Sequence, residues 1–271
     1  NAYYMTLSGT SQATAIASGV AGLTREFIRE QVGIAAPSSA LVKAAMINGA
    51  RDLGTADIPN AAEGWGEVDL ERTVLPMDGT TVLDTFVDDK KSLSPGFGLL
   101  YSFSIDASHG LDMTLAWTDE AGSAIASQTE SRLVNDLDLV LIGPDGTEWL
   151  GNDFSQGYST TGGTADDLNN VERIRVAPGV LPAGTDNYIV KVMHRGGTAQ
   201  DFALVLSAVA TATPQPDLAV FDGSIVLSSE NPLKDDLISI RLAWVNQGTT
   251  SAAPFDILSL IHISEPTRRA I

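Results

Sequence analysis

The 271-residue sequence contains no cysteine, which excludes disulfide cross-links, thiolate nucleophiles and cysteine metal sites. Any catalysis must therefore use oxygen or nitrogen. Long hydrophobic runs are also missing. No stretch reaches the roughly 18 apolar residues that a membrane-spanning helix needs, and Asn1-Ala2-Tyr3-Tyr4-Met5 has neither the basic start nor the apolar run of a secretion signal. No transmembrane segment is expected, and the start reads as cut from something longer. Positive charge is scarce, with 16 Lys and Arg against 34 Asp and Glu and a formal net charge of −18. Such a chain repels phosphate backbones and anionic membranes, so no nucleic-acid partner is expected. An acidic, cysteine-free composition is common among extracellular bacterial proteins and is shared by many cytosolic ones.

What is present is an ordinary globular composition, 44% hydrophobic with 25 Gly and 12 Pro, over a length suited to about two domains. The pattern changes along the chain. Gln12 to Leu23 carries no charge, which predicts a helix buried on nearly all sides. Thr24 to Gln31 then turns amphipathic, and Gly33 reads as a stop. Pro37-Ser38-Ser39 opens a second helical pattern, Ala40 to Asn48, ended by Gly49. After Gly64-Trp65-Gly66 come short β-like runs: Leu99 to Ile105, Met113 to Trp117, Leu133 to Ile142, Ile174 to Ala177, Tyr188 to Met193 and Phe202 to Ala208. Gly143-Pro144-Asp145-Gly146 reads as a hairpin turn. The expectation is an all-β sandwich. Thr211 to Pro216 then reads as an extended linker, with new strands at Leu218 and Ile238.

The most informative segment is Ser8-Gly9-Thr10-Ser11-Gln12-Ala13-Thr14, followed by the uncharged helix. A serine hydroxyl becomes a useful nucleophile only with a base, a fixed position and donors for the developing oxyanion. A helix N-terminus supplies free N–H groups and a positive dipole end, and Gly9 permits close approach. In isolation, Gly-Thr-Ser reads as an ordinary serine cap before an Ala-rich helix. The esterase elbow is rejected, because it requires Gly two residues after the serine, where Ala13 stands, and an α/β domain downstream.

This segment resembles the subtilase family, whose nucleophile stretch reads Ser-Gly-Thr-Ser-x-Ala-Thr at the start of a central helix. The resemblance continues through Val42-Lys43-Ala44-Ala45-Met46-Ile47-Asn48-Gly49-Ala50 and Gly64-Trp65-Gly66-Glu67-Val68. It implies a serine endopeptidase acting on protein or peptide substrates, with Ser11 as nucleophile and its backbone N–H as an oxyanion donor. It also implies a His base and an orienting Asp, which precede the serine in subtilisin-type order. Only ten residues precede Ser11, so both partners and the oxyanion Asn are expected upstream, and the isolated chain is expected to be inactive. His109 and His194 are not expected to replace them. Gln12 stands where subtilases usually have Met, and Ala15 where they usually have Pro. The first departure predicts tolerance to peroxide, which rapid inactivation of active protein by peroxide would contradict.

Asp136 and Asp138 alternate onto one strand face, which is repulsive unless a cation or an arginine intervenes. Arg132 is one candidate. Calcium is another, because hard oxygens from Asp136, Asp138, Asn152 and Asp153 suit it. Solvated strand ends and Asx turns are the plainer reading, with Asp166-Asp167 and Asn169-Asn170 as a polar loop. Leu115 to Asp119, Leu133 to Leu139, Gly151-Asn152-Asp153 and Asn169 to Glu172 resemble the C-terminal jelly-roll extension of alkaline subtilases, which implies structural calcium there. Trp117, Trp149 and Phe154 read as packing residues. Pro216-Asp217-Leu218 through Thr249 resembles the start of a CARDB-type adhesion domain, implying surface or matrix attachment. Leu258 to Arg268 resembles a translated sequencing adapter and is set aside, His262 with it.

The expected architecture is an α/β remnant of a subtilase catalytic domain over residues 1–76, followed by an all-β jelly-roll sandwich over 77–210. A linker over 211–216, a truncated Ig-like, CARDB-like β-sandwich over 217–257 and a foreign tail over 258–271 complete it. The parent is expected to be extracellular. The rival reading is a noncatalytic adhesion or carbohydrate-binding β-sandwich protein.

Overall fold

The computed structural model describes residues 8–54, 57–124, 131–182 and 188–212, together with the short strand residues 218–219, 225–227, 240–242 and 245–246. It opens with α1 (Thr10–Phe27), which runs on into a π-helical turn at Ile28–Val32. Gly33 ends this run in a left-handed conformation at φ 85°, where a side chain would be strained. Next comes α2 (Ser39–Gly49), started by a Ser38 side chain that accepts the Leu41 N–H. The short α3 (Leu70–Val74) follows, capped in the same way by Asp69.

Twelve strands come after: β1 (Met77–Asp78), β2 (Thr81–Val82), β3 (Asp84–Leu93), β4 (Gly98–Ile105), β5 (Leu111–Trp117), β6 (Asp136–Ile142), β7 (Glu148–Ser155), β8 (Tyr158–Thr161), β9 (Val171–Val176), β10 (Tyr188–Gly196), β11 (Gln200–Ala208) and β12 (Ala210–Ala212). After the small β1–β2 pair they form two antiparallel sheets, one ordered β12-β4-β10-β6-β7-β8 and the other β3-β11-β5-β9. Further on, Leu218–Ala219 pairs with Val245–Asn246, and Ile225–Leu227 with Ile240–Leu242. Most of the expected adhesion-like segment and all of the tail from 258 lie outside the described residues.

Alternation builds the core between the two sheets. Leu111, Met113, Leu115 and Trp117 of β5 point one way, with Phe202, Leu204 and Leu206 of β11, against Leu137, Leu139 and Leu141 of β6 and Val190 and Val192 of β10. Trp117 and Trp149 are core residues, as their type suggested, and the Trp117 indole N–H donates to the Asn135 carbonyl. The opposite face of the four-stranded sheet is covered too. Ala116, Val171, Ala203 and Val205 pack against Leu41, Ala44, Ala45 and Ile47 of α2 and against Ile28. Beneath the C-terminal half of α2, Asn48 bridges Ser207 and Thr114 through its side-chain amide.

Strand β3 carries the run Asp88-Asp89-Lys90-Lys91, which hides its β character in the sequence. It is an edge strand, where charge is protective. Lys90, at φ 58°, is the extra residue of a bulge, because Phe202 faces Lys91 and Ala203 faces Asp89. The bulge presents Asp89 to the Ser38 N–H and hydroxyl and sends Lys90 Nζ to the Ala36 carbonyl. A strand edge thus fixes the start of α2.

The one clear departure from expectation in this half is α1. Its uncharged run, Gln12 to Leu23, was expected to be buried, yet no residue of it is; Ile16 is 62% and Leu23 50% exposed, and Thr24 just after the run is the buried residue of α1. Among the described residues α1 packs mainly on its own continuation, α2 and α3. An uncharged helix carries an apolar surface, and nothing described here covers most of it.

Candidate functional site

Ser11 lies in the first turn of α1, with Gly9 as the residue before the helix. Gly9 has φ 148° and ψ 164°, a conformation open to glycine and strained for other residues. Its carbonyl accepts the N–H groups of Gln12 and Ala13, which closes the first turn, and Thr14 Oγ1 ties back to the Thr10 carbonyl. Ser11 is exposed at the helix end, where peptide N–H groups and the dipole favour negative charge. This arrangement suits a hydroxyl whose attack leaves an oxyanion beside the helix. Among the described residues no hydrogen bond links the Ser11 hydroxyl to a base. His109 faces Asp78, with Nδ1 3.1 Å from Oδ2, and His194 Nε2 lies 2.6 Å from the Thr198 carbonyl oxygen. Both histidines belong to the sandwich region.

The four acidic and amide residues read as cation ligands behave differently from one another. Asp136 and Asp138 stand together at the start of β6. The arginine that reaches them is Arg195, whose Nε pairs with Asp138 Oδ2. Arg132 instead donates to the Ser123 carbonyl. Arg195 is the displaced residue of a β10 irregularity, since His194 pairs with Leu137 and Gly196 with Asp136. That placement depends on a strand partner 57 residues away in sequence, which local spacing does not encode.

Asp138 is 2% exposed, and Asp136 Oδ1 is buried with no partner. Burial pushes the Asp136 carboxyl above its ordinary range; Asp138, Asp167 and Asp166 push it further, and Arg195 opposes them. Asn152 is fully used: its amide N–H groups go to Asp166 and the Val171 carbonyl, and its oxygen accepts the Arg173 N–H. Asp153 Oδ2 is buried without a partner. Asp166 forms the expected Asx turn, accepting from the N–H groups of Leu168 and Asn169.

Glu172 joins this group, and only strand pairing reveals it. It is a buried carboxyl in β9 that accepts the Leu139 N–H at 2.6 Å through Oε2 and leaves Oε1 unpartnered. Burial holds its proton well above the ordinary range; the Leu139 hydrogen bond pulls the other way, and Asp138, Asp166 and Asp136 add to the rise. Its sequence signal was a lone Glu within the otherwise sheet-like Val171–Val176.

As placed, the four expected ligands do not form one cage. Asp138 is committed to Arg195 and Asn152 to Asp166, Val171 and Arg173. Among the described residues no three His, Asp or Glu side chains are arranged to hold a metal ion. The unpartnered side-chain oxygens of Asp136 and Asp153 are nonetheless hard donors of the kind calcium takes.

No helix among the described residues is long and apolar enough to cross a membrane. Comparison with known proteins gives two findings. Residues 1–66 match the subtilase family, a stretch that includes Ser11, α1 and α2. The chain is also 34% identical over 203 residues to the serine protease/ABC transporter B family protein tagA of Dictyostelium discoideum. That likeness takes in 69% of this chain, so it runs on into the strands, but the chain spans only 11% of the length of that relative.

Proposed function

We propose that this chain is part of a secreted subtilisin-like serine endopeptidase in which Ser11 is the nucleophile and its backbone N–H helps bind the oxyanion. The observation that carries this reading is the exposed Ser11 in the first turn of an 18-residue helix, entered through a glycine at φ 148°. The subtilase match over residues 1–66 supports it. In the proposed reaction Ser11 Oγ attacks a peptide carbonyl, its proton passing to a His base. The acyl-enzyme is then hydrolysed by water. The proposed reaction also needs a His base, an orienting Asp and an oxyanion Asn.

The two-sheet sandwich is proposed as the jelly-roll extension, and residues 217–257 as an adhesion-type module for surface or matrix attachment. A structural calcium in the sandwich is likewise proposed. Asp136 and Asp153 would serve it through their free oxygens, Asp138 only by giving up Arg195, and Asn152 only by giving up Asp166 or Arg173. A chelator that leaves the unfolding midpoint unchanged would remove calcium from the account.

The test of the main reading is hydrolysis of a protein substrate such as casein by the full-length protein and by its Ser11→Ala variant. Loss of activity by about a thousandfold or more on substitution is expected. Equal activity in both would remove Ser11 as the nucleophile, and no activity in a folded parent would favour the noncatalytic adhesion or carbohydrate-binding reading.

A further inference from the structure

The chain is acidic overall, yet one place on it is strongly basic. On the outer face of the four-stranded sheet, Asp112 of β5 lies directly opposite Arg175 of β9 in the strand register, with Arg173 on the adjacent diagonal. Arg173 Nη2 approaches Asp112 Oδ1 at 2.7 Å, Arg175 Nε the same oxygen at 3.6 Å, and Arg72 of α3 approaches Oδ2 at 3.8 Å. Among the described residues, Asp112 is the one carboxylate in ion-pair contact with these three guanidiniums. Within ion-pair distance, three positive charges meet one negative.

The arginines differ in exposure, and that difference gives the place its character. Arg173 is fully buried; its Nη2 also donates to the Asn48 and Ala50 carbonyls at the end of α2. Its Nε and Nη1 are buried with no acceptor among the described residues. A buried donor left unmade costs about 1–3 kcal/mol, and an arginine fork is shaped to meet two oxygens at once. Arg72 and Arg175 reach solvent, with side-chain exposures of 33% and 15%. Arg175 lies 5.0 Å from the ring centroid of Tyr158, itself partly exposed, which fixes the guanidinium plane.

We propose that Arg72, Arg173 and Arg175 form a binding site for a small tetrahedral oxyanion of the phosphate or sulfate class, seated where α3 meets the β5–β9 edge. Arg72 and Arg175 receive the anion from solvent, and Arg173 supplies the buried charge behind them. Asp112 holds the three guanidiniums in place and takes the part of one anion, and the ligand neutralises the remainder. Occupancy stabilises the junction of α2, α3 and the sheet, because the same Arg173 holds the last carbonyls of α2. The site is independent of the chemistry at Ser11.

The test is a titration of this chain with sodium phosphate, sodium sulfate and sodium acetate at constant ionic strength, read as the thermal unfolding midpoint and by calorimetry. Phosphate and sulfate are expected to raise the midpoint saturably. The Arg72→Gln/Arg175→Gln double variant, which spares buried Arg173, is expected to bind at least tenfold more weakly while keeping its near-ultraviolet circular dichroism. A rise that does not saturate, or one unchanged in the double variant, would overturn the site. Acetate acting as strongly as phosphate would overturn its assignment to a tetrahedral ion.

Discussion

Helices α1 and α2 are neighbours in sequence and similar in composition, both built mainly from Ala and other small or aliphatic residues, yet they sit in opposite environments. Helix α2 has Ala40, Leu41, Ala44, Ala45 and Ile47 buried against the sheet, its start held by Ser38 and Asp89 and its end by Arg173. Helix α1 has Thr24 buried and leaves Ile16 and Leu23 largely open. The difference lies in what faces each helix. The second helix has an antiparallel sheet whose outer face is small and apolar beneath it, with Ala116, Val171, Ala203 and Val205 to receive it. The first presents Ser11 and an apolar surface to space that none of the described residues fills. A helix held firmly on the sandwich therefore stands beside one whose apolar side chains are largely exposed among the described residues.

That contrast can be broken or sharpened by substitution, with chemical denaturation of this chain as the common measurement. The largest effect is expected for Asp112→Ala, which strands the buried Arg173 charge beneath the end of α2 and should cost about 3–5 kcal/mol. Leu41→Ala empties a fully buried position between α2 and the sheet and should cost about 2–4 kcal/mol. Ser38→Ala removes both the cap on Leu41 and a partner of Asp89, for about 1 kcal/mol.

A smaller effect of opposite sign is expected at Asp88, on the β3 edge that fixes the start of α2. Burial raises its carboxyl pKa despite Lys91 and the Tyr101 hydroxyl. The folded state then holds the proton more tightly than the unfolded chain, so this group's contribution falls as pH rises from the ordinary Asp value of about 3.9 through the raised one. Asp88→Asn should abolish that fall, so the stability of the variant relative to the parent grows across that window and levels off above it. The smallest effect is expected for Leu23→Ser, within about 0.5 kcal/mol, because its side chain is half exposed on α1. A loss there as large as that of Leu41→Ala would erase the contrast.

Much of this organisation was legible before any coordinates. Both helices, the stop at Gly33, six of the strands and the core role of Trp117 follow from periodicity and turn chemistry, which are local signals. The edge strand β3 escaped because protective charge on an edge looks like loop composition. The burial of α1 was misjudged because an uncharged helix reveals an apolar surface and not what covers it. Arg195 beside Asp138, Glu172 beneath Leu139 and Arg173 against Asp112 were invisible for one reason: each is set by the register of strands distant in sequence. The helix start around Ser11 was legible because its signal is a short run, Gly9 to Ala13, whose geometry is completed within one helical turn.

The most direct test of the account is to treat the full-length protein with a fluorophosphonate probe and map the adduct by mass spectrometry. A single adduct on Ser11, absent from heat-denatured protein, is the predicted result. An adduct on another serine, or none on folded protein, would contradict the assignment of Ser11 as a nucleophile.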